Sequence, residues 1–464
     1  MLKFGDMNPV INAIAPLETT VVSMNSGPSV YLIESEIPSK HIALLNPAGF
    51  KQGNLTARVH GWLGWRRGLA VLMVALVGFI SGCSTIPSVY REPPPMEAEA
   101  RAKLNLQVFD RTWTLVNEKY FDAKFRGVDW AAMKEKYRSE AAAATDTAAL
   151  YRVLDQLCGE LKESHLKALN PQLAYDLRST RRVGSGLKGT ESEGKQIIVE
   201  VLPGGAAAEA GVQVGWILAS RNGRPYNPED FFMPKLGHPI EYGFLNNQDL
   251  PVTLKLEPRL IQFTQQHVRE LPDGYRYLRF DEFSFTNLSW LSSELKAHPT
   301  APGVLIDLRY NPGGNLLAHN MAVEEFFDRK KYVKVGELIY RSGRTRKVSG
   351  FRFLSAHYEG KVVILIGPGS GSASEVFSHV LQHEKRATVV GRRSAGAVIV
   401  ARMYRLPDGG RLQVPVKDFV GLKGERLEGR GVDPDIVLPE PTLTDWRSGR
   451  DRDLEAAVQI LTQR

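Results

Sequence analysis

The sequence predicts an α/β protein built from several domains, and three observations predict it. The chain has 464 residues, more than one hydrophobic core usually serves. Residues 97–165 repeat apolar side chains at helical spacing, while beyond about 270 short continuous apolar runs alternate with amphipathic stretches. Between the two lies a strand-rich region punctuated by glycine. A composition of 43% hydrophobic and 24% charged residues is that of a chain able to bury a core.

The first distinct element is apolar. Arg66 and Arg67 precede an uninterrupted apolar run of 12 residues over 69–80. Such a run is short for a membrane span and suits the core of a signal peptide. Ile80-Ser81-Gly82-Cys83 then resembles the bacterial lipobox, in which small residues admit a signal peptidase and the Cys83 thiol takes the lipid. The resemblance implies a membrane-anchored protein of a bacterial cell envelope, facing the periplasm. Ser84 is unlike an inner-membrane retention signal, which favours the outer membrane. A signal peptide belongs at the start of a chain, so residues 1–65 are expected to be a non-native or disordered extension, with Val59 read from an alternative start codon. Peptides from 1–58 in the mature protein, found by mass spectrometry, would refute that hypothesis. Residues 84–96, with three consecutive prolines at 93–95, read as an extended tether.

Helices follow over 97–180. Phe109, Trp113, Val116 and Tyr120 mark the first, Trp130, Met133 and Tyr137 the second. Leu150, Leu154, Leu157 and Leu161 mark a third, with Asp146 or Thr147 as N-cap. Strands are predicted at 196–202, 217–220 and 252–256, with an Ala-rich turn of helix at 206–210 and an Asn222-Gly223 turn. This order over 184–258 resembles a PDZ domain, whose sheet edge takes up an extended peptide. Gly215-Trp216 stands where that family usually has Gly-Asp. From 270 to 440, strands at 275–280, 304–308 and 362–366 alternate with helices at 287–297, 316–327 and 373–383. The runs VLIDL and VVILI are apolar on both faces, as in a buried, partly parallel sheet. Asp408-Gly409 turns a late hairpin, and 441–464 holds a terminal helix.

Charge and cysteine count exclude several functions. Residues 1–82 carry six Lys/Arg and four Asp/Glu, so of the total charge of +8 the rest of the chain keeps +6. No basic run is interleaved with aromatics, which argues against nucleic-acid binding. Two cysteines, Cys83 and Cys158, exclude a disulfide framework and a four-cysteine zinc site. No metal or organic cofactor is expected. His379 and His383 lie four apart, but the pattern is not HExxH and no third ligand is evident, so packing is the simpler account. The same holds for His319.

Two glycine-rich turns carry the chemistry. GPGSGSASE at 367–375 leaves a buried strand and enters a helix. A sharp turn there exposes a hydroxyl to the first amides of the helix, although a serine N-cap has the same composition. DLRYNPGG at 307–314 also leaves a buried strand, and its glycines let backbone amides approach a reacting oxygen. Asp307 and Arg309 are expected to brace this turn. DLRYNPGG, GSGSASE, GRRSAG and EGRGVDPDIVLP, in that order, resemble the C-terminal processing, or tail-specific, protease family. The likeness covers roughly 105–440 and implies an N-terminal helical bundle, a PDZ-like α+β domain and an α/β protease core with a mixed sheet.

The resemblance implies Ser372 as nucleophile and the amides of Ala373 and Gly314 as oxyanion donors. Many members place a lysine base where this chain has Ala397, whose methyl group cannot accept a proton. The tricorn-like branch resembles this chain in Ser164-His165 and in Glu428, which implies His165 as general base with Ser164 and Glu428 orienting it. Glu425 is close enough in sequence to substitute for Glu428. Arg392 and Arg393 replace the acidic residue usual in their turn, and either bind a substrate carboxylate or face water. The expected activity is a serine endopeptidase acting on peptides or proteins without a cofactor. The alternative is an inactive, PDZ-containing peptide-binding scaffold. An adaptor or oligomer partner is left open.

Overall fold

The computed structural model describes residues 31–33, 90, 93–177, 181–228, 234–263, 265–328, 332–350 and 356–463. The signal segment 66–83 with Cys83, and the extension 1–65 apart from a short strand at Tyr31–Ile33, lie outside them.

Three helices open the described chain: α1 (Ala98–Lys119), α2 (Trp130–Ala143) and α3 (Thr147–Gly159). Asp129 caps α2 and Asp146 caps α3, each accepting an N–H from three residues on. Their apolar stripes, including Phe109, Tyr120, Trp130 and Leu154, close on one another and on Leu412 and Val414. A short strand, β1 (Lys167–Leu169), follows the helices.

The region 184–258 is an antiparallel α+β module. Strands β2 (Leu187–Ser192), β3 (Lys195–Val201), β4 (Ile217–Arg221), β5 (Ile240–Leu245) and β6 (Pro251–Leu256) pair in that order, with a helical turn, α4, at Ala206–Glu209. Alternate residues Ile240, Tyr242 and Phe244 of β5 point inward, as period-two patterning requires.

The core region holds two sheets. β7 (Gln266–Glu270) runs antiparallel to β8 (Arg276–Phe280). Beyond β8 the sheet is parallel, through β9 (Gly303–Asp307), β13 (Lys361–Ile366), β14 (Thr388–Gly391) and β17 (Ile436–Val437). Helices α5 (Phe285–Ala297) and α7 (Ala373–His383) make the crossovers after β8 and β13. The second sheet contains β10 (Gly313–Asn315), β11 (Lys334–Tyr340), β12 (Thr345–Ser349), β15 (Ile399–Arg405) and β16 (Arg411–Val420). β1 pairs antiparallel with β16, which brings the end of the helical region onto the core. α6 (Leu316–Glu324) ends three residues before the predicted 327. The predicted terminal helix is two, α8 (Leu443–Arg447) and α9 (Arg452–Thr462), because Gly449 takes a left-handed φ between them.

Phe377 of α7 sits at the centre of the largest apolar cluster, its ring 5.5 Å from Phe283 and 5.8 Å from Phe326. We expect Phe377→Ala to lower stability by about 3–5 kcal/mol through lost burial and the cavity left behind. Chemical denaturation at unchanged m-value would measure it.

Candidate active site

The turn after β13 is built around Ser372. Its backbone has φ 48° and ψ −109°, a left-handed conformation that costs a non-glycine residue about 1–3 kcal/mol and persists only where surroundings enforce it. The enforcing groups are visible. Ser370 Oγ donates to Leu308 O at 2.8 Å and Ser374 Oγ donates to Asn311 O at 2.7 Å. Gly371 N–H donates to the same Asn311 carbonyl at 3.1 Å. The two glycine-rich turns are therefore laced together, with Ser372 Oγ fully buried and, among the described residues, without a hydrogen-bond partner.

The second turn presents Gly314. Asn311 holds it: its side-chain amide donates to Phe280 O at 2.8 Å and its Oδ1 accepts Gly313 N–H at 2.9 Å. Phe283 N–H donates to Gly313 O, and Asn315 N–H donates to Phe283 O, both at 2.7 Å. Neither bond uses the Gly314 N–H, and Gly314 also pairs in register with Leu32 of the Tyr31–Ile33 strand. A Cβ on Gly314 would stand 2.3 Å from Phe283 O, and its φ of 143° is one that side chains disfavour. Ala373 N–H is in the first turn of α7, where helical amides have no intrahelical acceptor.

Glu375 was not singled out for a role by its sequence position. It is fully buried and accepts four hydrogen bonds: Ser372 N–H (2.7 Å), Gly396 N–H (2.7 Å), Ala397 N–H (2.9 Å) and Ser394 Oγ (2.6 Å). Burial pushes its pKa up to about 7, against the hydrogen bonds that lower it. The three backbone N–H donors favour the ionised form, while the Ser394 hydroxyl can bond either form. We therefore expect the reactivity of Ser372 to rise with pH through about 7 as Glu375 ionises, and Glu375→Gln to flatten that rise in a pH profile of active-site labelling. Stability runs the other way. A carboxyl raised from 4.5 to about 7 on folding contributes stability that is present below 4.5 and lost as pH rises through 7.

Ser164 and His165 lie between α3 and β1, facing the 396–398 turn through Glu428. Ser164 N–H donates to Glu428 Oε1 at 3.3 Å, and Val398 N–H donates to Glu428 Oε2. Ser164 Oγ lies 2.6 Å from His165 Nδ1. Hydrogen bonds and the Ala397–Val398 peptide link thus tie the backbone of the Ser372 turn, through Glu375 and Glu428, to Ser164 and His165, while a direct hydrogen bond from Ser372 Oγ to the His165 ring is not formed. His165 is fully buried, which excludes a surface histidine. Burial first, and then the Lys167 charge, lower its pKa to about 3, so the imidazole is neutral near pH 7. Burial raises the Glu428 carboxyl. With Nδ1–H donated to Ser164 Oγ, the Nε2 lone pair of His165 is the basic position.

The remaining candidates are placed elsewhere. Glu425 does not replace Glu428: its Oε1 is 2.7 Å from His379 Nε2. His379 is thereby paired with a carboxylate, and no metal-type cluster occurs among the described residues. His319 packs edge-on to Phe283. Arg392 is engaged by Asp453, Glu440 and Pro439 O, and Arg393 by Asp433, so neither waits for a substrate carboxylate. Asp307 and Arg309 do brace their turn, joined at 2.7 Å. Cys158 is buried and its thiol is pushed up.

The chain has clear likenesses among known proteins. Residues 274–438 match the model of Peptidase family S41, and residues 102–159 that of the Tricorn protease C1 domain. The chain is 25% identical over 395 residues to the carboxyl-terminal-processing protease of Synechocystis sp., covering 80% of this chain and 89% of that one. It is 28% identical over 299 residues to the carboxy-terminal-processing protease of Bartonella bacilliformis, covering 60% and 67% respectively. Among solved structures, the photosystem II D1 C-terminal processing protease superposes with a TM-score of 0.53 at 21% identity, over 77% of this chain and 97% of that one, a likeness of fold.

Proposed function

We propose that this serine-type peptidase cleaves peptides or proteins through an acyl-enzyme on Ser372, with His165 as general base. The observation that supports the reading is that hydrogen bonds and the Ala397–Val398 peptide tie the Ser372 turn, through Glu375 and Glu428, to Ser164 and the neutral, buried imidazole of His165; the direct bond from Ser372 Oγ to Nε2 is the part that the proposal adds. Ser372 Oγ attacks the scissile carbonyl and passes its proton to His165 Nε2. The carbonyl oxygen takes up charge facing Gly314 N–H and Ala373 N–H. The imidazolium, stabilised through Ser164 by Glu428, returns the proton to the leaving amine, and water then hydrolyses the ester by the same groups. No step needs a metal, and the missing lysine at Ala397 removes none of these groups.

The α+β module over 184–258 is read as the PDZ-like domain that captures an extended, C-terminal peptide segment along a free sheet edge, as similarity to processing proteases suggests. The edge strand β2 is its exposed candidate. The place of action we infer is the bacterial envelope, with Cys83 as lipid anchor and the outer membrane favoured. The support is the arginine pair, apolar run and lipobox-like cut in the sequence. A fluorophosphonate probe tests the catalytic reading. Labelling should be lost in Ser372→Ala, while no labelling and no peptide cleavage by the unaltered chain would point instead to a peptide-binding scaffold. Incorporation of labelled fatty acid, abolished by Cys83→Ala, tests the anchor.

A further inference from the structure

We propose that Asp453, at the start of α9, is a positioning residue for the reaction, because it clamps both turns that build the active site. The inference rests on the reading of Ser372 as nucleophile. Arg309 follows β9 in the turn that leads to Gly314. Its guanidinium reaches Asp307 (Nη2 at 2.7 Å), Asp451 (Nη1 at 2.8 Å, Nη2 at 2.7 Å) and Asp453 (Nη1 at 3.4 Å). Arg392 follows β14 in the turn that leads to Ser394, Gly396 and Ala397. Its Nη1 donates to Asp453 at 2.9 Å, and its Nη2 donates to the other oxygen of that carboxylate.

Asp453 is thus held by arginines from both turns, and its side chain is 4% exposed. Each arginine acts close to the chemistry. Arg309 is two residues from Asn311, which laces the Gly314 turn to the Ser372 turn. Arg392 is two residues from Ser394, which donates to Glu375. The two guanidinium groups disfavour each other, and the Asp453 carboxylate between them offsets that repulsion. The helix is in turn anchored by Ala457 and Leu461, fully buried against Tyr277, Leu305 and Val363. Asp453 supplies the opposite charge that the buried part of Arg392 needs.

Losing the clamp should let the oxyanion turn and the Glu375 acceptor drift relative to each other. Bond formation at Ser372 would slow while peptide capture by the distant module persists. The experiment compares the full chain with Asp453→Asn, Arg392→Gln, their double variant, and Asp453→Glu. Readouts are fluorophosphonate labelling rate, kcat and KM on an unfolded casein probe, and Tm. We expect each single variant to lose about tenfold in kcat and labelling rate, with KM changed less than about twofold. The double variant should lose no more than the worse single variant, as expected for one shared interaction, and Asp453→Glu should recover most of the rate. Wild-type labelling rates in folded Asp453→Asn and Arg392→Gln, or a loss confined to KM, would overturn the proposal. If Asp453→Asn does not fold, Arg392→Gln and Arg392→Lys decide the question from the less buried side of the pair. Labelling that survives Ser372→Ala would instead overturn the nucleophile reading on which this one rests.

Discussion

Ser372→Ala should abolish peptide cleavage, with kcat lower by about 10^6-fold, and should leave the fold intact. The size follows from what is lost. The hydroxyl is the only group in the proposed mechanism that forms a bond to substrate, and water cannot take its place while the turn stays closed over a fully buried position. The stability effect should be small, because Ser372 Oγ has no hydrogen-bond partner among the described residues to lose. Alanine even removes a buried polar atom. A Tm equal to or above that of the unaltered chain, together with loss of casein cleavage and probe labelling, is the signature. A variant that remains active would move the nucleophile to another hydroxyl.

His165→Gln should lower kcat by up to ~10^4-fold with little change in KM, the upper range for a positioned base. Glutamine nearly fills the imidazole's space and can still bond Ser164, so packing is spared. Proton acceptance is not. Ser164→Ala and Glu428→Gln should each cost less than His165→Gln, since they act through it. The three effects should not add, because one relay is being broken at different points. The pH profile separates the roles further. His165 is held near 3, so its own protonation should not shape activity around neutrality, whereas Glu375, near 7, should. An acid limb near 7 that survives Glu375→Gln would contradict that assignment.

Much of this arrangement is legible in the sequence, and the reasons are local. The run VVILI names a buried strand, and a serine followed three residues later by glutamate names the start of α7 at Ala373. The helical region reads from its apolar spacing. The order of the motifs resembles the C-terminal processing protease family, and that resemblance, rather than the turns by themselves, implies roles for Ser372 and Gly314 and, through the tricorn-like branch, for Ser164, His165 and Glu428. What escapes the sequence is assembled from afar. Glu375 looks like a helix-capping residue until Ser394, Gly396 and Ala397 are seen to donate to it. Arg392 and Arg393 look free because their partners Asp453 and Asp433 lie 61 and 40 residues on. The second sheet is obscured by a register shift at Val400/Ala401 and by strands drawn from β1, β11 and β16. His165 alone reads as a solvent-facing residue after a helix, whereas in the fold it is fully buried, two residues before β1, which pairs with β16.

The path from Ser372 to His165 also has a consequence in time. The Ser164–Glu428 contact spans 264 residues of chain, and the Glu375 contacts reach forward by 21 and 22. Contacts of such separation form late in folding, because the loop they close must be ordered first. A nascent or unfolded chain therefore presents Ser372 as an ordinary serine in a flexible, glycine-rich stretch, with neither acceptor nor base beside it. On the proposed mechanism, hydrolytic competence arrives only when the segment carrying Glu428 has docked on the end of the helical region at Ser164. A hydrolase that delays its chemistry in this way needs no separate inhibitor while it is being made, and a misfolded copy is harmless rather than indiscriminate.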